Sequence, residues 1–370
     1  MEIGELLNLL VDKRASDLYL KVARPPILRI AGTLTQLDMP RLSPDDVKNL
    51  IYSMMNDDQI KKFEEAYDAD FSYSLRGVAR FRVNAFKQRG VQGAVIRMVP
   101  YEIPAIGSLG LPPVIEELAT KPQGLVLVTG PTGSGKSTTL ASIVGHINAT
   151  RNCHIITIED PIEFLHRDNM AAIEQREIEV DTKSFREALR RALRQDPDVL
   201  LIGEMRDLET VATAISAAET GHLVLSTLHT NDATQTVDRI IDIFPSNQQQ
   251  QVRIQLSMTL VGVVSQRLLK RIDGNGRVAA VEVMINNPLI KDIIEKGNTS
   301  GIRKVIESSG TYWKMQTLTQ AVAQLINSGA IAMEEGLSAV PNADELRLAL
   351  KGTYGQASLV FGDMTSMMDY

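Results

Sequence analysis

The stretch Gly124-Leu-Val-Leu-Val-Thr129, running directly into Gly130-Pro-Thr-Gly-Ser-Gly135-Lys136-Ser137-Thr138, constrains this chain more than any other part of it. Its first half is a short apolar, β-branched run, the composition of a strand covered on both faces inside a parallel sheet. Its second half matches the Walker A pattern and stands where that pattern has meaning, between such a strand and a predicted helix. Glycines let the backbone close around a phosphate, while loop N–H groups and the helix N-terminus face the anion. The predicted nucleotide cradle is therefore Gly130, Thr132, Gly133, Ser134, Gly135, Lys136, Ser137 and Thr138. Within it Lys136 would neutralise β/γ-phosphate charge and the Ser137 hydroxyl would ligate Mg²⁺, so ATP and Mg²⁺ are the expected ligands. A turn that merely caps a helix has no need of Lys-Ser at that spacing.

Similar runs follow at 153–158, 199–202 and 223–226 with helical stretches between them, the rhythm of a parallel α/β sheet. Upstream, residues 80–99 alternate apolar and polar with period two, as half-buried antiparallel strands do. Between the two patterns lies a cluster of structure-breaking residues, Pro100, Pro104, Gly107, Gly110, Pro112 and Pro113. These shifts predict a small mixed α/β domain over 1–99, a hinge linker over 100–113 and an ATPase core over 114–285. A helical subdomain over 286–350 is expected from Ile290, Ile293 and Ile294 on one face and Leu318, Val322, Leu325 and Ile326 on another. The tail 351–370, rich in Gly, Ser and Met, has no periodicity from which order can be read.

Composition narrows the class. A length of 370 residues suits two or three domains. A net charge of -6 argues against a general nucleic-acid binder, whose affinity comes from excess Lys and Arg, so no direct nucleic-acid partner is expected. Cys153 is the only cysteine, which removes internal disulfides and Cys-based zinc cages and fits a reducing compartment. The start carries no basic leader, and no apolar run approaches the roughly 20 residues of a membrane span. Membrane association is expected only through partners.

Hydrolysis needs a carboxylate for the attacking water and a group that senses the γ-phosphate. Asp198-Val-Leu-Leu-Ile-Gly-Glu204 places an acid directly after a buried strand, where open parallel sheets put their chemistry. Gly203 stands where many P-loop enzymes carry a metal-linked aspartate. A second acidic cluster, Glu159-Asp160-Pro-Ile-Glu163, follows another apolar run, so either Glu163 or Glu204 is a candidate for activating water, with Glu204 and Glu159 as candidates for the metal shell. His222 and His229 flank the strand at 223–228 without the spacing of a helical zinc pair. Its polar end, Ser226, Thr227, His229, Thr230 and Asn231, could meet a phosphate or water, or be a satisfied structural cluster. Arg80 and Arg82 share one face of a predicted strand, and Arg186, Arg190 and Arg194 one face of a predicted helix.

The Walker A block, Glu159 to Glu163, Gly203-Glu204-Met-Arg206-Asp207, and Thr220-Gly-His222-Leu-Val-Leu-Ser-Thr-Leu-His229-Thr-Asn231 stand in the order of the secretion ATPase superfamily. They resemble its Walker A, Asp, Walker B and His boxes. Over most of its length, including Ala15-Ser16-Asp17-Leu18 and Met315-Gln316-Thr317, the chain resembles the PilT-type pilus retraction motors. The resemblance implies a PAS-like N-terminal domain, a RecA-like ATPase domain and a cytoplasmic homohexamer. It also implies an inner-membrane platform protein as partner, and pilus retraction in twitching motility as the output. Pilus assembly or type II secretion is the alternative, with nucleic-acid translocation behind it. The resemblance further makes Arg82 or Arg97 the candidate cation contributed across a subunit boundary, and His229 the γ-phosphate sensor. Where such motors carry Ala-Ile-Arg-Asn-Leu-Ile-Arg-Glu, this chain reads Leu289-Ile-Lys-Asp-Ile-Ile-Glu-Lys296, keeping the apolar spacing with altered charges.

Overall fold

The computed structural model describes residues 2–30, 32–100 and 102–351; the tail from 352 onward, discussed above only by composition, lies outside the described residues. The chain forms two compact units, one of residues 1–102 with 161–165, the other of 103–160 with 166 onward.

In the first unit, strands β1 (Asp17–Lys21), β2 (Ile27–Ile30), β3 (Thr33–Gln36), β4 (Asp68–Leu75), β5 (Ala79–Gln88) and β6 (Val91–Val99) form a sheet in the order β3-β2-β1-β6-β5-β4. All its pairings are antiparallel. Period two puts Ala79, Phe81, Val83 and Ala85 of β5 into the core and leaves Arg80 and Arg82 on the other face. The helix Ile3–Asp12 covers the core face with Leu6, Leu7 and Leu10. Helices Pro44–Tyr52 and Asp57–Ala66 start in capping boxes at Ser43 and Asn56, each side chain accepting the N–H three residues on.

The second unit is built on a sheet in the order β13-β12-β7-β11-β10-β8-β9. Its strands are β7 (Gly124–Thr129), β8 (His154–Glu159), β9 (Ala172–Glu177), β10 (Val199–Ile202), β11 (Leu223–Leu228), β12 (Leu260–Lys270) and β13 (Arg277–Ile285). Helices cover both faces, which is why β7 is apolar throughout: Leu125 and Leu127 enter one layer, Val126 and Val128 the other. The sheet is parallel from β12 to β9, but β13 returns antiparallel on β12. A purely parallel reading of the sequence therefore falls short by the antiparallel hairpin, and the polar edge strand β9, parallel on β8, carried no apolar run by which to read it.

Helix Pro288–Lys296 feeds Ile290 and Ile294 into the same core as Leu127, whereas Leu318, Val322, Ile331 and Leu346 gather in a separate cluster with Leu269 and Ala280 of the hairpin. Among the described residues no helix is long and apolar enough to cross a membrane.

Candidate nucleotide-binding site

The parallel register brings one end of every central strand to the same edge. Leu228 pairs with Thr129, Ser226 with Ile202 and Ile202 with Ile158, so the segments after β7, β11, β10 and β8 emerge side by side. The phosphate loop, His229, Glu204 and Glu159 all stand at this carboxyl edge, the position where open α/β sheets bind ligands.

The loop 130–135 joins β7 to the helix Lys136–Thr150. Gly130 (φ 141) and Gly135 (φ 90) adopt backbone geometries that L side chains rarely reach. A Cβ at Gly130 would lie 2.3 Å from the Gln266 carbonyl oxygen, and one at Gly135 would lie 3.0 Å from Gln266 Nε2. A Cβ at Gly133 would meet nothing within 4 Å, so that side of the loop is open. Lys136 Nζ donates to the carbonyls of Gly130 (2.9 Å) and Pro131 (3.1 Å), so its ammonium arches over the loop. Among the described residues Ser134 Oγ is buried without a hydrogen-bond partner, while Thr132 is exposed and Ser137 and Thr138 are half-buried at the helix start. A glycine-rich loop at a helix start, with the Lys136 ammonium over it and the buried Ser134 hydroxyl beside it, has the donor chemistry that suits a phosphate.

Among the described residues no three His, Cys, Asp or Glu side chains gather as a metal cage. Mg²⁺ bound to a nucleotide's phosphates keeps several waters and needs few protein ligands; among the residues at the helix start the Ser137 hydroxyl could serve as one.

Glu204 follows β10 and is mostly buried. Its carboxylate accepts from Arg206 at 2.7 Å and lies 3.4 Å from His229 Nε2 at the end of the neighbouring strand. Burial pushes this carboxyl upward, but the hydrogen bond and charge of Arg206, with His229 beside it, outweigh that and hold it below the ordinary glutamate range. Gly203 donates to the Ile158 carbonyl at 2.8 Å, and a Cβ there would sit 3.3 Å from the same oxygen. A side chain at Gly203 would need its neighbour on β8 to give by a few tenths of an ångström, and the acid of this segment stands at Glu204.

Within the polar strand end the hydroxyls divide. Ser226 donates to the Ile202 carbonyl, Thr227 to the Gly203 carbonyl and Thr230 pairs with Thr236, which leaves His229 and Asn231 exposed. His222 is at the opposite end of β11, its Nδ1 2.9 Å from the Ala217 carbonyl. Glu159 accepts from Thr157 (2.6 Å) and Gln175 (3.2 Å). Glu163 is exposed in the segment 161–165, which belongs to the first unit. Arg82 and Arg97, also in that unit, face each other across β5 and β6. Arg97 Nε donates to buried Asp17 at 2.8 Å, while Arg82 is 4.0 Å from Asp70. Arg194 is exposed beyond the helix Phe185–Ala192.

Reasoning from sequence missed Asp17, whose carboxylate orients Arg97 and also pairs with Arg29, and Gln266, which touches the phosphate loop from β12. Neither belongs to a recognisable phosphate motif; Asp17 stood in the block Ala15-Ser16-Asp17-Leu18, but on the face of β1 opposite Leu18 and Leu20, where no local signal pointed to its arginine partners.

A glycine-rich loop between a buried parallel strand and a helix, with an acid and a histidine at the adjoining strand ends, defines a P-loop nucleotide-binding protein. The family described as type II/IV secretion system protein matches residues 3–346, and the chain belongs to that family. It is 48% identical over 334 residues to the type IV pilus retraction ATPase PilT of Pseudomonas aeruginosa, covering 90% of this chain and 96% of that one. It is 42% identical over 351 residues to the type IV pilus ATPase PilU of the same organism, covering 95% and 92%. A crystal structure of the pilus retraction motor PilT with bound ADP superposes with a TM-score of 0.87 at 49% identity, over 94% of this chain and 99% of that one.

Proposed function

We propose that this chain is an ATP-hydrolysing motor that drives type IV pilus retraction. The observation that carries the reading is the pairing of Glu204 with His229 at the strand ends beside a complete phosphate loop, in a chain alike over nine-tenths of its length to a pilus retraction ATPase.

In this reading the loop N–H groups and Lys136 hold the β- and γ-phosphates. Mg²⁺, held by the Ser137 hydroxyl and phosphate oxygens, would supply charge neutralisation on the transferring group. Glu204, ionised at neutral pH, accepts a hydrogen bond from the attacking water and takes up its proton. His229, 3.4 Å from the same carboxylate, orients it and would read the γ-phosphate. Glu163 is the alternative base. Arg82 or Arg97 of a neighbouring subunit completes the charge stabilisation, and the working form, as the resemblance to pilus retraction motors implies, is a homohexameric ring. The ring acts in the cytoplasm, held at the inner membrane by the pilus platform protein.

Deleting the gene and counting surface pili tests the direction of action. Surplus pili with lost twitching agree with retraction; cells without pili would assign the chain to assembly instead. The shared site has its own test in mixed assemblies. An arginine variant (Arg82→Ala or Arg97→Ala) combined with Lys136→Ala should regain hydrolysis, since some interfaces then join an intact loop to an intact arginine. No recovery with either arginine would remove the trans contribution.

A further inference from the structure

Gln266 lies on β12 one residue past Ser265, the partner of Thr129 in the register that aligns β12 with β7. Its side chain is almost wholly buried, at 2% exposure, so both ends of its amide need partners. Nε2 donates to the Ser134 carbonyl at 2.6 Å, and Oε1 accepts from Thr139 Oγ1 at 2.9 Å. A carbonyl can only accept, which sets the amide's orientation; the Thr139 hydroxyl, itself buried in the first turns of the helix Lys136–Thr150, donates to the remaining end. One side chain thus ties a sheet strand, the phosphate loop and the following helix together.

The consequence for the loop comes from peptide geometry. A trans peptide is planar, and its carbonyl and its N–H point in opposite directions within that plane. The bond that draws the Ser134 carbonyl toward β12 therefore turns the N–H of Gly135, in the same peptide, away from β12. The Ser134 N–H is already engaged with the Pro131 carbonyl, so the Gly135 N–H stands among the donors left for an anion. Gly135 fits this arrangement twice over: its φ of 90 favours glycine, and a Cβ there would crowd Gln266 Nε2 at 3.0 Å.

We propose that Gln266 is a positioning residue for phosphate recognition, setting through the Ser134 carbonyl the peptide plane whose Gly135 N–H meets a phosphate of a bound nucleoside di- or triphosphate. Thr139 acts through Gln266 in the same relay. The inference rests on the reading of the loop as a nucleotide site.

The test is titration calorimetry with ADP and Mg²⁺ on the full chain, with the melting temperature of the nucleotide-free protein measured beside it. Gln266→Met keeps the volume and removes both hydrogen bonds. It should raise the Kd for ADP about 10-fold, the scale on which an unmade buried hydrogen bond acts. Thr139→Val should weaken ADP binding in the same direction by a smaller factor, and Thr139→Ser should restore it. A Gln266→Met protein that melts earlier yet binds ADP with the wild-type Kd would reduce Gln266 to packing and overturn the inference. If Gln266→Met does not fold, the Thr139 pair decides, and equal ADP affinities of Thr139→Val and Thr139→Ser overturn it. Wild-type protein that binds ADP no better than Lys136→Ala would bring down the site reading and this inference together; wild-type binding with indifferent variants brings down this inference alone.

Discussion

The two ends of the parallel sheet carry similar residues and use them in opposite ways. At the amino ends of the strands stand His154, Asp198 and His222, each turned onto backbone. Asp198 accepts from the His154 N–H at 2.8 Å, His154 Nδ1 lies 3.1 Å from the Gln195 carbonyl, and His222 Nδ1 faces the Ala217 carbonyl. At the carboxyl ends Glu204, Arg206 and His229 bond chiefly to one another, and Lys136 arches over an open loop. The cause is the direction of the helices. Helices finish near the amino ends and leave carbonyls that side chains must satisfy, whereas they begin at the carboxyl ends and present N–H groups to whatever anion arrives. The histidine before this six-residue strand is held against backbone, and the one after it is exposed beside the Glu204 carboxylate.

The contrast can be broken by substitution, and the largest effect falls on the loop. Lys136→Ala should lower ATP turnover by roughly 10³-fold, because the phosphate charge loses its cation where it must be stabilised. Folding should survive, which phosphate release measured on the assembled protein will show; near-normal turnover would remove the site assignment.

Next comes Glu204→Gln, expected to lower turnover roughly 10²-fold while nucleotide affinity stays within a few-fold. Because Arg206 and His229 hold this carboxyl below its ordinary range, the acidic limb of a wild-type pH profile governed by it should fall below about pH 4.5. Loss of nucleotide binding, or normal hydrolysis, would shift the role of base to Glu163.

The histidine pair sharpens the comparison most directly. His229→Ala should lower turnover by about 10-fold with little change in melting temperature. His222→Ala should do the reverse, leaving turnover near wild type and lowering the melting temperature by roughly 2–4 °C for the loss of about 1 kcal/mol. Equal turnover in the two variants would erase the functional distinction between the ends of β11.

A separate test concerns stability rather than turnover: Glu282, buried on β13, accepts the N–H of Ala233 at 2.8 Å where the helix after the His229 loop begins. Burial pushes its carboxyl up to about 7, with Asp232 adding to the shift and the Ala233 N–H opposing it. A carboxyl raised in the folded state binds more protons than in the unfolded chain, so its contribution to stability is present below about pH 4.5 and is lost as pH rises through about 7. Glu282→Gln keeps the acceptor and should flatten that slope, by on the order of 2–3 kcal/mol across the window. Denaturant melts at pH 5 and pH 8 would reveal it; an unchanged slope would place the titrating group elsewhere.

Much of the fold was legible because the signals were local. The run at 124–129 reads as a buried strand from its own composition, and the loop after it carries its chemistry in consecutive residues. Period two in β5 sorted Arg80 and Arg82 from Phe81 and Val83 before any neighbour was known. The strands that escaped lacked such signals. β9, Ala-Ile-Glu-Gln-Arg-Glu, is a polar edge strand, and the β12–β13 hairpin has an apolar character that a buried helix shares.

The candidate site divides along the same line. Sequence by itself determined the phosphate cradle, because an anion site made of backbone N–H groups depends on glycine spacing and a lysine that follow one another in the chain. It also placed Glu204 and His229 at strand ends. Only the tertiary structure brought those two within 3.4 Å, set Arg97 on the buried carboxylate of Asp17, and put Gln266 against Ser134, 132 residues away in sequence. These contacts join separate strands, and the register between strands is settled by packing across the whole sheet rather than by any residue's neighbours in the chain.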